Sequence, residues 1–388
     1  MTSRLPSGGL VVLPCRAGRA QLQAAALHEP EDLTRAYGRP DRRQLLTVSS
    51  LSVEPDERIV AFRTNLSRPE AVREFVSLQP RTTLLVGGPA QYLVTAYDAT
   101  QLAEASVLAQ QLAIPYTVLG SGSNVLVSDR GVPGLVIHAC TGRMKVGEET
   151  RVDCGVWFQD LFLSTAQAGL SGLEFAVGIP GTVGGALVSN AGAYRANIGD
   201  LVTSLEVVED GRLRQVGPDW LEFSYRNSSL RRGTREGVLI SVTLRLAPDD
   251  PVAIYARASE FQRQRRLRQP PGPSAGSFFK NVYDRSLAEN LPTLPAEMKQ
   301  AGVVPAGYLI MEAGLKGECV GGAWVSPRHA NFLMNRCGAT AQDLRTLAEL
   351  VKRRVHDRFG VLLEEEVLYV GDWSDAENQP SPCSDRRK

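Results

Sequence analysis

Val118-Leu-Gly-Ser-Gly-Ser-Asn-Val-Leu-Val-Ser-Asp-Arg-Gly131 reads as a short apolar strand, a bend of small residues and a second apolar strand. Gly120, Ser121, Gly122 and Ser123 leave no bulky side chain at the bend. Backbone N–H groups can converge on an anion there, and the two hydroxyls add donors. A phosphate or diphosphate suits such a place. The dinucleotide fingerprint is excluded, because Val125 holds the position of its third glycine and Asn124–Val127 reads as strand where that motif opens a helix. The nucleoside-triphosphate loop is excluded as well, since the chain has no Gly-Lys-Ser/Thr run. A hairpin turn with no ligand is the competing reading.

A second cluster weighs against that competitor. Gly178-Ile-Pro-Gly-Thr-Val-Gly-Gly-Ala186 is followed by Asn190-Ala-Gly-Ala-Tyr194. Pro180 donates no backbone hydrogen bond and stiffens the turn. Gly181, Gly184 and Gly185 let main chain approach a flat or charged ligand. Two such clusters in one domain-sized stretch exceed what ordinary turns need.

The 388 residues suffice for two or three domains with substantial cores. With 43 basic and 42 acidic residues, charge gives no reason to expect a nucleic-acid partner. The six cysteines (Cys15, Cys140, Cys154, Cys319, Cys337 and Cys383) form no Cys-x-x-Cys pair. Reduced thiols in a cytosol are therefore expected, rather than zinc or a disulfide framework. No apolar run is long enough to span a bilayer, and Gly9–Leu13 is too short for a secretory core. The chain is expected to be cytoplasmic, with no membrane insertion.

Residues 1–67 show weak periodicity and much Arg, Pro and Ser, and are expected to form a loosely ordered extension with a short helix near Pro30–Tyr37. From 68 to 249, strands and helices alternate. Thr83–Val86 and Gln91–Thr95 read as strands, and Thr100–Leu112 as a helix capped by Thr100. The strands flanking Gly120–Ser123 read as a pair. Phe158–Ala168 is a helix closed by Gly169. Leu205–Glu209 and Arg212–Val216 form a hairpin across Asp210-Gly211, and Val238–Leu246 is a strand. Asp249-Asp250-Pro251 marks a boundary. Residues 250–371 read as a smaller α+β unit, with 372–388 as a disordered tail. Val252–Gln269 is helical, and its Arg263, Arg265, Arg266 and Arg268 read as a solvated face. Ala341–Phe359 is an amphipathic helix between Thr340 and Gly360, followed by a strand over Leu362–Val370.

Taken together, the segments resemble the UDP-N-acetylenolpyruvoylglucosamine reductase family. The matching stretches run from Thr82 to Gly371: Thr82–Ala90, Gly120–Leu126, Gly178–Ala186, Asn190–Tyr194, Ser224–Ser228, Ser274–Asn281, Val325–Asn331 and Leu363–Val367. Their shared order makes the resemblance specific. It implies an α+β protein with an FAD-binding domain of the PCMH/VAO-like type (68–249) and a smaller α+β substrate-binding domain (250–371). It implies non-covalent FAD, NADPH as co-substrate and UDP-N-acetylglucosamine enolpyruvate as substrate. The short interval from Arg226 to Ser277 resembles the subtype without an inserted tyrosine loop. Val282 departs from the family's usual proline, and the first 67 residues have no recognised counterpart.

The implied reaction reduces a vinyl ether bearing a carboxylate: hydride arrives at C3, and charge moves through C2 into the carboxylate. Arg226 matches the residue that stabilises this charge, since a guanidinium meets a carboxylate as a fork; without the resemblance, a surface ion pair is the favoured reading, because most arginines lie at the surface. Ser277 matches the proton donor to C2. A weak acid suffices, because the acceptor carbon is strongly basic. Ser277 is not a hydrolase nucleophile, for Ala275-Gly-Ser-Phe-Phe279 lacks the second glycine of that elbow. Glu366 matches the last glutamate of the C-terminal motif. In an alternating strand Glu364 and Glu366 face the same way, so alternation leaves the two open. Glu366 is expected to be protonated in the working complex. The resemblance places Gly120, Ser121, Gly122, Ser123, Asn124, Gly178, Gly181, Gly184, Gly185, Asn190 and Gly192 around the cofactor. Lys280 is a candidate for nucleotide or substrate phosphates and reads equally as an exposed lysine, with Tyr194, Asn281, His329 and Asn331 as lining residues. His329 has no partner cluster, so no metal is expected.

Two rival readings stay open at this level: another flavin oxidase of the same fold, and a non-catalytic nucleotide-sugar-binding flavoprotein. Val118–Gly131 contains no histidine for a covalent flavin tether, which argues against the first. Arg226, Ser277 and Glu366 in matching contexts argue against the second.

Overall fold

The structure, a computed structural model, describes Leu10–Val12 and residues 57–374. The helix expected near Pro30–Tyr37 and the tail beyond Ser374 lie outside the described residues. The elements begin with β1 (Leu10–Val12), α1 (Glu57–Asn65), β2 (Val72–Ser77), β3 (Pro89–Ala96), α2 (Ala99–Gln111), β4 (Tyr116–Leu119), β5 (Val125–Val127) and β6 (Val132–Ala139). Strands β2, β3, β6 and β4 form one sheet in that order. The pairs β3/β6 and β6/β4 are parallel.

Next come β7 (Arg143–Lys145), β8 (Glu149–Asp153), α3 (Phe158–Gln167), α4 (Val183–Val188), β9 (Val202–Glu209), β10 (Arg212–Val216), α5 (Ser229–Arg232), β11 (Val238–Arg245) and α6 (Pro251–Arg268). Here an antiparallel sheet runs in the order β1-β7-β8-β11-β9-β10. Helix α2 fills the space between the two sheets. Its Leu102, Ala105 and Ala109 pack against Val94, Leu135 and Ile137 of one sheet and Val208, Val238 and Ile240 of the other. The opposite face of the antiparallel sheet is covered by α3, α4 and α6, through Leu161, Phe162, Leu187, Ile254 and Ala258.

The C-terminal part holds a small antiparallel sheet of β12 (Cys319–Val320), β13 (Ala323–Val325) and β14 (Leu333–Asn335), covered by α7 (Ala341–Phe359). Leu344, Leu347, Val351 and Val355 of α7 are fully buried, at the i, i+3/i+4 spacing of one helical face. Thr340 forms a capping box with Asp343, and Gly360 ends the helix at φ +71°. The last strand, β15 (Leu368–Val370), returns to pair in parallel with β5.

Several local expectations match. Gly169 follows α3 at φ +72°, and the hairpin turns at Asp210-Gly211. Others need correction. The strands flanking Gly120–Ser123 do not pair with each other: β4 pairs with β6, and β5 with β15. Thr83–Val86 is a turn, because Leu84 drops wholly into the C-terminal core while Leu85 takes φ +54°. Helix α2 is capped by Asp98, whose side chain accepts from Gln101 N, and Thr100 lies inside it. Leu362–Glu366 is irregular, and the strand begins only at Leu368. The expected extension of 1–67 holds a packed helix at its end, since Ile59 and Phe62 of α1 are buried in the cluster that includes Val72, Val94 and Ile137 of the first sheet. Among the described residues no helix is long and apolar enough to cross a membrane.

Candidate active site

The crossing from β4 to β5 builds the first wall of the site. At Gly120 a Cβ would stand 2.5 Å from Thr182 Oγ1. At Gly122, φ is +63° and a Cβ would stand 2.1 Å from the Arg81 carbonyl oxygen. Only glycine fits there without displacing backbone. The two glycine clusters, separate in sequence, form one surface, and Ser123 Oγ donates to the Pro180 carbonyl at 3.2 Å. Together they line a cavity of about 360 Å³, within the size range of small-molecule sites. Ser121 Oγ is buried in this wall with no protein partner, a polar atom that a ligand oxygen would satisfy. Exposed main chain and an orphaned hydroxyl fit the diphosphate of FAD.

Beneath the loop, His138 is buried and held neutral. Burial lowers its pKa to about 4, the Arg81 charge adds to this, and a hydrogen bond to the Gly120 backbone opposes it. Cys154 lines the same cavity, but burial raises its thiol far above the range in which it ionises, so it acts as a small apolar contact.

Arg226, Ser277 and Glu366, from three distant segments, line this one cavity. Arg226 occupies the left-handed region at φ +52°, which costs a non-glycine residue about 1–3 kcal/mol. A tight turn holds it there, with mutual backbone hydrogen bonds of 3.1 Å between Ser224 and Asn227. Its guanidinium donates to the carbonyls of Asn190 and Gly192 and places Nε 3.1 Å from Glu366 Oε1. Asn190 supports the same turn, with Nδ2 donating to the Ser224 carbonyl at 3.0 Å. Ser277 follows Gly276, which sits at φ +78°, and is half-buried at the cavity wall.

The three adjacent glutamates separate by partner. Glu364 binds Lys280, Glu365 binds Lys352 at 2.9 Å, and Glu366 binds Arg226. Of the three, Glu366 is the one that lines the cavity. Burial pushes its carboxyl above the usual value, while Arg226, Arg231 and Lys280 pull it back.

Of the residues expected around the cofactor, all but Gly178, which is exposed, and Asn190, which is buried, line the cavity. The expected substrate-binding set is not on the cavity surface. Tyr194 stacks on Phe261, with ring centroids 3.8 Å apart. Lys280 is engaged by Glu364. Asn281 Oδ1 accepts from Ala306 N at 3.3 Å. Asn331 pairs twice with the Phe279 backbone, at 2.8 and 3.0 Å. His329 Nδ1 accepts from Asn331 N at 3.3 Å, and burial lowers its pKa.

Sequence reasoning missed Arg265. The basic run of α6 was expected to be solvated, and Arg263 is indeed exposed, paired with Glu260 at 2.8 Å. Arg265 instead turns inward to line the cavity, its Nε buried without a partner and its carbon 5.8 Å from the Tyr194 ring centre. Burial lowers its pKa. The available signal was its helical phase, since Arg265 shares a face with Ile254, Ala258 and Phe261.

A family profile for the C-terminal domain of UDP-N-acetylenolpyruvoylglucosamine reductase matches residues 266–370, and one for an FAD binding domain matches 90–217. The chain is 39% identical over 321 residues to the UDP-N-acetylenolpyruvoylglucosamine reductase of Geobacter metallireducens, covering 82% of this chain and 99% of that protein. It is 40% identical over 316 residues to reductase 2 of Symbiobacterium thermophilum, covering 80% and 96%. Among solved structures it is similar to the reductase of Thermus caldophilus, with 37% identity, a TM-score of 0.62, and coverage of 77% of this chain and 99% of that one.

Proposed function

This chain belongs to the UDP-N-acetylenolpyruvoylglucosamine reductase family, and from that membership we propose how its residues divide the reaction. The protein is an FAD-containing, NADPH-dependent oxidoreductase that converts UDP-N-acetylglucosamine enolpyruvate to UDP-N-acetylmuramate in peptidoglycan precursor synthesis. FAD, when bound, supplies the two-electron relay from NADPH to the enol ether. Gly120–Asn124 and Gly181–Gly185 would hold its diphosphate, with the Ser121 hydroxyl and Arg265 facing phosphate oxygens.

Arg226 takes the substrate carboxylate. Its permanent charge stabilises the anion that grows there as C3 is reduced. Ser277 gives a proton to C2, which is basic enough to take one from a hydroxyl. Glu366 carries a proton and donates a hydrogen bond to the same carboxylate. Its carboxyl is already raised by burial, and once the substrate shares the Arg226 charge, a second anion beside it raises it further. A cytoplasmic site of action fits a nucleotide-sugar substrate and NADPH.

The observation that supports this division is the convergence of Arg226, Ser277 and Glu366 on the cavity walled by the two glycine clusters. The test follows NADPH absorbance in purified protein on adding UDP-N-acetylglucosamine enolpyruvate. Ser277→Ala is expected to bleach its flavin with NADPH yet not turn over substrate. Near-normal turnover in that variant removes Ser277 from the proton-donor role.

A further inference from the structure

Glu366 does its work only if its carboxyl stands in one place, yet the segment around it is not a regular strand. Its main chain is pinned instead by three separate segments. Its N–H donates to the Phe278 carbonyl at 2.8 Å, next to Ser277. Its carbonyl accepts from Asn124 Nδ2 at 3.0 Å, at the end of the first glycine loop. The same carbonyl accepts from Arg231 Nη2 at 2.7 Å, and a weaker contact of 3.4 Å reaches the Glu365 carbonyl.

Arg231 lies in α5, five residues after Arg226. That helix is firmly placed: Ser228 Oγ accepts from Arg231 N at 3.2 Å and donates to the Val188 carbonyl at 2.7 Å, tying α5 to α4. Both acceptors of the Arg231 guanidinium are carbonyl oxygens, so its full charge stays beside Glu366, and its Nη1 is buried with no protein partner. Burying a guanidinium without a carboxylate is expensive. Backbone anchoring alone would be served by a neutral donor.

We propose that Arg231 is a positioning residue for the reduction: it fixes the place of the Glu366 carboxyl from the segment that carries Arg226, and keeps a positive charge behind it. This rests on the reading of Glu366 given above. The charged and titratable groups facing that carboxyl are Arg226, Arg231, Lys280 and the Tyr225 hydroxyl. In the working complex Arg226 is shared with the substrate, and Lys280 is engaged by Glu364. Arg231 is then the cation beside Glu366 whose guanidinium hydrogen-bonds carbonyls and no carboxylate.

The experiment separates the two half-reactions in FAD-loaded protein. Arg231→Gln is expected to retain FAD and to bleach with NADPH at the parent rate. Its oxidation by substrate should slow by about 10²-fold, as for a small misplacement of a reacting group. The alkaline fall of that step should move to higher pH, because a cation that favours the ionised carboxyl is gone. Arg231→Lys keeps the charge, so the fall should stay near the parent pH while the rate drops. It also carries the test should the glutamine variant not fold. Equal slowing of both half-reactions, or loss of FAD in both variants, assigns Arg231 a merely structural part and overturns the proposal. Parent-like behaviour of Arg231→Gln beside an impaired Glu366→Gln overturns it alone, whereas a parent-like Glu366→Gln brings down the reading of Glu366 as well.

Discussion

Arg226 is bound by two carbonyls and one carboxylate in a strained turn, so its fork is oriented before any substrate arrives. Removing it takes away both charge and preorganisation. Arg226→Ala should lower kcat/KM by at least the roughly 10²–10³-fold typical of losing a charge-stabilising donor. Stopped-flow oxidation by substrate measures it, and a loss confined to KM would reassign Arg226 to ground-state binding. Glu366 gives a pH prediction with a definite sign. Its carboxyl is raised mainly by burial, and the proposed working form is the protonated one. Oxidation by substrate should therefore be fastest below the raised pKa and fall as pH rises through it. In Glu366→Gln that fall should vanish, because the amide does not titrate. A profile identical to the parent's contradicts the assignment.

At the scale of elements, the turn between β4 and β5 is the most exacting. Gly122→Ala places a methyl group 2.1 Å from the Arg81 carbonyl at φ +63°, and the backbone must move. The variant should purify with little FAD, as read by visible absorbance, while far-ultraviolet circular dichroism stays close to the parent's. The same scale shows what the sequence could reveal. The Asp210-Gly211 hairpin, the Thr340 cap and the Gly360 stop were legible because each depends on neighbours within a few residues. The strand over Thr83–Val86 was misread because Leu84 is buried by the C-terminal core, a partner that local pattern does not see. The strands around Gly120–Ser123 looked like a hairpin for the same reason, since their partners β6 and β15 lie elsewhere in the chain. Glu364 and Glu366 could not be separated by alternation, because the strand that alternation assumes is absent there. Arg265 was lost in a basic run whose other members are solvated. Arg226, Ser277 and Glu366, which the resemblance named, come together on one cavity, while Asn281 and Asn331, expected as lining residues, hydrogen-bond backbone groups.

For the whole molecule, the two parts share a core. Leu84, Val86 and Leu126 from the first part are buried among Phe278, Phe279 and the residues of α7. Thermal unfolding should therefore be a single calorimetric transition, and Leu126→Ala, a fully buried truncation, should lower it by the equivalent of about 2–5 kcal/mol without splitting it. Two resolved transitions in the parent would show that the parts melt independently. The parallel pairing of β15 with β5 has a consequence for mechanics. The stretch bearing Glu366 belongs by chain order to the C-terminal part, yet it is fastened to the glycine loop and to the helix after Arg226. Glu366 is thereby moored on both sides of the seam, to the flavin cradle through Asn124 and Arg231 and to the loop of Ser277 through Phe278, so neither half can drift without dragging the carboxylate.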